Sequence, residues 1–294
     1  MIGIIGAGAW GSAIFHALSI KNKVFITSRK KRNIQNFVSL EEIFKNEYLI
    51  IVISAQFIGE FIKKYQNKLK NKKILVASKG IDNSKLKFLN EIFEEYLDSE
   101  NIAFLAGPSF AKEVKEHKPT ALVISGNENL CRKFASFFPP FIKTYISDDI
   151  YGVEIAGAYK NVIAIAAGIC EGLNLGENAK AALIARGLVE MARFGESFGA
   201  KKETFLGVAG AGDLFLTANS TMSRNFRVGL NLAKGKILED ILAELGEVAE
   251  GVYTTKAIYE ISKKENIYTP IANEVYRIIY EEKRVKDSLK DLLS

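Results

Sequence analysis

One lysine in this sequence sits where the surrounding residues offer it no water. Residues 157–167 read Gly-Ala-Tyr-Lys-Asn-Val-Ile-Ala-Ile-Ala-Ala and carry no polar stripe. A helix that is apolar all round is buried, so Lys160 has little wet surface to occupy. Its neighbours one turn away, Ala156, Gly157, Ile163 and Ala164, are mostly small and leave room for another group to approach. Burial disfavours the ammonium form and brings the pKa down toward the range useful for proton transfer. Lys160 is therefore a candidate general acid/base. The competing reading is a lysine that snorkels to the surface or pairs with Glu154, and the helix alone does not separate the two.

A second constellation is made of glycine. Gly6-Ala7-Gly8-Ala9-Trp10-Gly11 follows an apolar strand-like run directly and opens a helical pattern. Glycines at this spacing allow a tight turn, let the backbone approach a pyrophosphate and pack helix against strand, while the helix N-terminus faces the negative charge. Dinucleotide binding follows from that context, with Gly6, Gly8, Ala9, Trp10 and Gly11 as contacts, and an ordinary strand-to-helix turn is the bland alternative. At the end of the next strand an NAD-specific site usually carries an acid for the ribose 2′-hydroxyl. Here the sequence is Thr27-Ser28-Arg29-Lys30. Cations in place of the acid favour a 2′-phosphate, so NAD or NADP is expected as cofactor, with NADPH tolerated and preferred, through Arg29 and Lys30. A solvated basic turn is the alternative.

Other polar groups stand at telling places. Lys79, in Val76-Ala77-Ser78-Lys79-Gly80, lies just beyond a strand's C-terminal end, where ligands bind in open α/β sheets. Ser109, in Ala106-Gly107-Pro108-Ser109, follows the next strand and is placed to cap a helix. A glycine-dense run from Gly207 ends at Asp213, and Ser223-Arg224-Asn225 follows. Arginine beside asparagine at a helix start is a candidate phosphate clamp, because guanidinium can donate two parallel bonds to phosphate oxygens; taken alone, such a pair is more often surface decoration.

The elements that must hold these residues alternate through the first half. Residues 1–5, 23–27, 48–53, 73–77, 102–105 and 121–125 read as strands. Residues 12–20, 57–70, 86–97 and 111–115 read as helices, and 41–45 as a short one. This order predicts an α/β domain with a mostly parallel sheet covered on both faces. From Tyr151 onward the strand-like runs vanish and Ala-, Gly- and Leu-rich helical periodicity takes over. The boundary is placed near Asp148, giving a dinucleotide-binding domain over 1–148 and a helical substrate and catalytic domain over 149–294.

Composition narrows the classes further. With 48% hydrophobic residues among 294, the chain is globular and long enough for about two domains. Forty Lys plus Arg against thirty-four Asp plus Glu give +6, but the excess is scattered, and the one dense basic run, 29–32, has the local explanation above. No nucleic-acid partner is expected. The apolar runs around 49–53 and 162–169 fall short of the ~20 residues that span a bilayer, and the opening Met1-Ile2-Gly3-Ile4-Ile5 has no charged region before it, so neither a membrane span nor a secretory signal is expected. Two isolated cysteines, Cys131 and Cys170, exclude a disulfide framework and suit a reducing cytoplasm. Two histidines, His16 and His117, are too few for most metal sites, and none is expected.

Taken in order, the motifs resemble the NAD(P)-dependent glycerol-3-phosphate dehydrogenase family, bacterial type, over nearly the whole chain. The resemblance rests on GAGAWG at Gly6, SKG at Ser78, GPSFAKEV at Gly107, KNVIAIAAG at Lys160, GAGDLFLT at Gly210, SRN at Ser223 and EVAEG at Glu247. It implies a Rossmann-like doubly wound sheet followed by an all-α C-terminal domain, and the reversible reduction of dihydroxyacetone phosphate to sn-glycerol 3-phosphate, a phospholipid precursor. It further implies that Lys160 accepts the proton in oxidation, that Lys79 contacts cofactor and substrate, and that Asp213 binds substrate and orients Lys160. Gly107 and Ser109 would line the substrate site, with Ala111 near the cofactor. Ser223, Arg224 and Asn225 would hold the phosphate, Arg224 reaching the cofactor too, and Val248 and Glu250 would touch the cofactor from the second domain. A homodimer is the assembly considered.

The chain departs from the family pattern twice. Only about twenty residues separate Thr27 from Tyr48, an abbreviated crossover on which the adenosine-side contacts depend, and the usual Val-Pro-Ser after the third strand is Ile53-Ser54-Ala55. Two other classes compete. One is a related NADP-dependent reductase of a small keto or hydroxy acid, which also uses a helix lysine; the other is a non-catalytic dinucleotide sensor. His117 as a base is weakened by its charged setting, Glu116-His117-Lys118.

Overall fold

The computed structural model describes residues 1–246 and 248–293; Glu247, which opens the EVAEG motif, lies outside them. Ile2–Ile5 (β1), Val24–Thr27 (β2), Tyr48–Ile51 (β3), Lys73–Val76 (β4) and Ile102–Ala106 (β5) are short and almost wholly buried. Such continuous apolar runs are what a strand needs when both sheet faces are covered. Side chains leave successive residues in opposite directions. Thus Ile4, Ile50, Leu75 and Ala103 join the core beneath the Ala9–Leu18 helix, while Ile5, Ile51, Ile74 and Phe104 join the core beneath Ile58–Leu69 and Leu89–Glu94.

With Thr120–Gly126 (β6) and Ile142–Ser147 (β7), the sheet has the order β2-β1-β3-β4-β5-β6-β7. Among the described residues every pairing is parallel except β5 with β6. The chain leaves β1 toward β2 on one side and returns to β3 on the other, so the crevice for a ligand opens at the carboxyl end of β1, where the glycine run begins. The abbreviated crossover runs along the β2 edge of the sheet. A single parallel bridge from Ile26 to Phe37 stands there, and no further strand among the described residues.

The structure corrects several element boundaries. The strand β7 was not expected, because Lys143 and Tyr145 are exposed on this edge and break the apolar run that marked the other strands. A helix at Glu128–Ala135 was also missed. The first helix starts earlier than expected, at Ala9, and Leu89–Glu94 is shorter than the 86–97 pattern, because Leu86 takes a positive φ of 53° and Asp82 bridges Lys87 ahead of it.

From Ile150 onward the described chain is helical. The Ile150–Gly172 helix starts at Asp149, whose carboxylate caps it through Gly152 N–H at 2.9 Å and also accepts from Lys201 N–H at 2.9 Å and the Thr204 hydroxyl at 2.5 Å. It is long and apolar enough to cross a membrane, which corrects the reading of its shorter apolar run; 94% of its most apolar window is buried inside the protein. Arg224–Ala233 packs against it backbone to backbone: a Cβ on Gly168 would stand 2.0 Å from Phe226 O, and one on Gly229 would stand 1.9 Å from Ile165 O. Only glycine permits that approach, and it sets the start of the Arg224–Ala233 helix beside the middle of the lysine helix, where Asn225 meets Asn161.

Candidate active site

Lys160 is 6% exposed, in the middle of the Ile150–Gly172 helix. Its ammonium does not pair with Glu154. It donates to Asp213 Oδ1 and, at 2.8 Å, to the Thr217 hydroxyl. Lys79 comes from the loop beyond β4 and donates to Asp213 Oδ2 at 2.8 Å, so one fully buried carboxylate is shared by two lysines. The Lys79 ammonium also lies 3.4 Å from Gly107 O, a carbonyl that accepts the Ser109 hydroxyl at 3.0 Å. Three segments far apart in sequence thus converge at the carboxyl edge of the sheet.

The charge balance sets the protonation behaviour. Burial pulls the Lys160 ammonium down, Asp213 pushes it back up and Lys79 lowers it again, leaving it near about 7. For Asp213, burial would raise the carboxyl, but the attraction of Lys160 and Lys79 outweighs it and holds the group below the ordinary carboxylate value. An ionised carboxylate between two cations keeps both ammonium groups aimed at one point without neutralising the site.

Asp213 reaches this place through a π-helical turn, Val208–Gly212, built from the glycine-dense run. Such turns recur at functional sites because they rotate the following residue relative to the regular helix. Thr217, one turn on, donates to Asp213 O at 2.6 Å while accepting from Lys160. Sequence reading passed over Thr217 as a catalytic neighbour, although its i+4 spacing from Asp213 was the available signal.

The phosphate-clamp residues have mixed roles. Ser223 caps its helix by accepting Phe226 N–H at 3.2 Å, and it is 4% exposed. Asn225 donates to Asn161 Oδ1 at 2.9 Å and accepts Gly251 N–H at 3.0 Å, fixing its amide. Asn161, next to Lys160, was not singled out from the sequence. Arg224 is half-buried and donates to Val248 O at 2.8 Å, tying the clamp to the segment that carries Val248 and Glu250. Burial pushes the Glu250 carboxyl up, with Ser54, the departure from the family pattern, as its nearest counterweight and Arg224 beyond it.

The glycine loop is shaped for a ligand. Gly6 has φ +117°, and a Cβ there would stand 2.1 Å from Val52 O; one on Gly11 would stand 1.9 Å from Gly6 O. At Gly8, by contrast, a Cβ would find nothing within 4 Å, and no side chain caps the helix that begins at Ala9. The loop is closed where it packs and open where a pyrophosphate would lie, with helix N–H groups aimed at it. Ala9 is exposed and Trp10 half-buried beside it, and Ala111 opens the Ala111–Lys115 helix, which packs on the Ala9–Leu18 helix. Arg29 and Lys30 are exposed in the bend after β2, where Ser28 donates to Lys30 O at 2.7 Å. His117 is remote in role: it sits in an exposed turn, with Nε2 3.0 Å from His16 Nε2 and its ring stacked on Phe141.

A dinucleotide-type sheet whose carboxyl edge meets a buried lysine–carboxylate–lysine array defines a two-domain nicotinamide-dependent dehydrogenase. Comparison with known proteins gives the family. The NAD-dependent glycerol-3-phosphate dehydrogenase N-terminus matches residues 32–131 and the corresponding C-terminus matches 149–290. The chain is 61% identical over 280 residues to a glycerol-3-phosphate dehydrogenase [NAD(P)+] of a Nitratiruptor species, covering 95% of this chain and 93% of that one. It is 59% identical over 294 residues to the protein of that name from Campylobacter lari, covering 100% and 97%. The crystal structure of glycerol-3-phosphate dehydrogenase from Coxiella burnetii superposes with a TM-score of 0.93 at 31% identity, covering 100% and 98%. The chain belongs to the NAD-dependent glycerol-3-phosphate dehydrogenase family.

Proposed function

We propose that this enzyme reversibly reduces dihydroxyacetone phosphate to sn-glycerol 3-phosphate with NADH or NADPH, supplying a phospholipid precursor in the cytoplasm. The observation that carries the reading is the buried Lys160, near about 7 and held by Asp213 opposite Lys79. Two free, buried cysteines suit the reducing compartment. The domain division near Asp148 is supported by Asp149, which caps the first helix of the helical half.

A nicotinamide held by the glycine loop would, when bound, supply or take the hydride at C2. The chain's residues do the rest. Arg224 at the Arg224–Ala233 helix start, with Asn225 and Ser223 behind it, receives the substrate phosphate. Gly107 and Ser109 border the carbon chain. Protonated Lys160 gives its proton to the oxygen on C2 as negative charge develops there, and Lys79 stabilises that charge. In oxidation neutral Lys160 takes the hydroxyl proton. Asp213 keeps Lys160 aimed and its proton affinity poised. On the cofactor side, Gly6, Gly8, Ala9, Trp10 and Gly11 hold the pyrophosphate, Arg29 and Lys30 the adenosine ribose, and Ala111, Val248 and Glu250 the remainder.

A keto-acid reductase or a dinucleotide sensor is not favoured, since relatives at 55–62% identity all bear the glycerol-3-phosphate dehydrogenase name. A spectrophotometric assay of NADH and NADPH oxidation decides the matter. Turnover is expected with dihydroxyacetone phosphate and not with ketopantoate; the reverse preference, or cofactor binding without turnover, contradicts the proposal.

A further inference from the structure

Lys79 stands on a segment that has left the sheet. A bond from Ala77 N–H to Ile51 O at 2.8 Å closes the ladder beyond β4, and the backbone then turns at Gly80, whose φ is +138°. Toward the lysine helix this segment is not tightly packed: Ser78, Lys79 and Gly80 border a cavity of about 10 Å³, room for one water, with Glu154 and Gly157 among its other walls. Further on, Asp82 N–H donates to Lys87 O at 3.0 Å, a bond internal to the loop that does not attach it to the sheet.

On its other side the segment meets the short Ala55–Phe57 turn beyond β3. A Cβ on Gly80 would stand 2.9 Å from the Ala55 Cβ, so the two loops touch there. Next to Ala55, Gln56 grips the loop with both ends of its amide. Its Nε2 donates to Ile81 O at 2.7 Å, and its Oε1 accepts Asn83 N–H at 3.1 Å. A nitrogen facing a carbonyl and an oxygen facing an N–H leave the amide one orientation. Ile81 is buried, so water does not readily replace a partner lost by its carbonyl.

We propose, on the reading of the lysine array given above, that Gln56 is a positioning residue for the reaction: by holding Ile81 and Asn83 it sets where the Lys79 ammonium stands relative to Asp213 and Lys160. Its two bonds are to backbone and neither is to a lysine, so it acts through the 79–83 segment. The consequence reaches Lys160 through charge. Asp213 and Lys79 are the charged groups that act on Lys160, the first raising and the second lowering its proton affinity. A Lys79 that is no longer held in place lowers it less, so Lys160 keeps its proton to higher pH. The shift is opposite in sign to the one that loss of Asp213 would give.

The test is the pH profile of kcat for dihydroxyacetone phosphate reduction in the full-length wild type, Lys79→Ala, Gln56→Met and Gln56→Ala, with NADH dissociation constants measured beside it. Methionine keeps the length and packing of glutamine and deletes both bonds. Gln56→Met should lower kcat about tenfold and leave the NADH dissociation constant within about twofold of wild type. Its midpoint should move to higher pH, in the same direction as Lys79→Ala and by less, and Gln56→Ala should match it. Wild-type kcat and midpoint in Gln56→Met overturn the inference, because packing alone would then account for any loss in Gln56→Ala. A loss of NADH binding as large as the loss of kcat also overturns it, since Gln56 would then serve the cofactor. If Lys79→Ala itself moves neither kcat nor midpoint, the reading of the lysine array fails and the role of Gln56 falls with it.

Discussion

The two halves of the site are built in opposite ways. The glycine loop works through missing side chains: Gly6 and Gly11 let backbone pack on backbone, and Gly8 leaves space. The lysine array works through side chains that are present, buried and charged, with Lys79, Lys160 and Asp213 brought together from three segments. A site made of backbone is fixed by local spacing. A site made of converging charges is fixed by tertiary packing, and its chemistry depends on the balance among its members.

Breaking the charged half should have the largest effect. Lys160→Ala is expected to lower turnover by about 10²–10⁴-fold while cofactor binding, measured by fluorescence titration of NADH, stays nearly intact. Retention of more than about a tenth of wild-type turnover would remove Lys160 as the acid/base.

Breaking the backbone half should show the reverse pattern. Gly11→Ala places a Cβ 1.9 Å from Gly6 O, and overpacking of this kind costs about 1–3 kcal/mol. The Michaelis constant for the cofactor should rise about ten- to a hundredfold, with little change in the pH dependence of turnover. A shifted pH profile would show that the two halves are not separable.

This contrast explains what the sequence made legible. The strand-loop-helix signal at Gly6 needs about a dozen residues, and six strands, β1 to β6, announced themselves as apolar runs; the edge strand β7, with exposed Lys143 and Tyr145, did not. Lys160 stood out because its helix is apolar all round. Its partner did not: Glu154, on the same helix, was the local candidate, whereas the actual partner is Asp213, 53 positions away. Glu154 instead accepts Asn90 N–H at 3.2 Å, and burial pushes its carboxyl well up. Asp213 stood out at the end of the glycine-dense run, but its role as the partner of Lys160 entered only through the family resemblance, and Thr217 and Asn161 were passed over because each looks ordinary without its neighbour across the fold.

Smaller effects sharpen the comparison further. Arg224→Ala should reduce kcat/KM for dihydroxyacetone phosphate about tenfold or more and hardly affect dihydroxyacetone, because only the phosphate offers an anion to a charge-assisted bond. Equal losses on both would make Arg224 a brace for Val248, which it already contacts. Arg29→Ala should raise the Michaelis constant for NADPH about threefold to fivefold and leave NADH nearly unchanged, a modest change because Arg29 is exposed. Added salt should reproduce part of it. An equal effect on the two cofactors would show that the abbreviated crossover carries this bend away from the ribose.

The central claim is that Lys160 titrates within the working range and that Asp213 sets where. Proton donation needs the ammonium, so the rate of dihydroxyacetone phosphate reduction should fall as pH rises through about 7, while glycerol 3-phosphate oxidation rises through the same region. Because Asp213 raises the Lys160 pKa, Asp213→Asn should move the midpoint to lower pH. The most direct measurement is therefore the pH profile of kcat for reduction in the wild type and in Asp213→Asn. A wild-type midpoint near about 7 that moves down in the variant is the predicted result; a wild-type profile flat across that region, or a midpoint that Asp213→Asn leaves in place, contradicts the account.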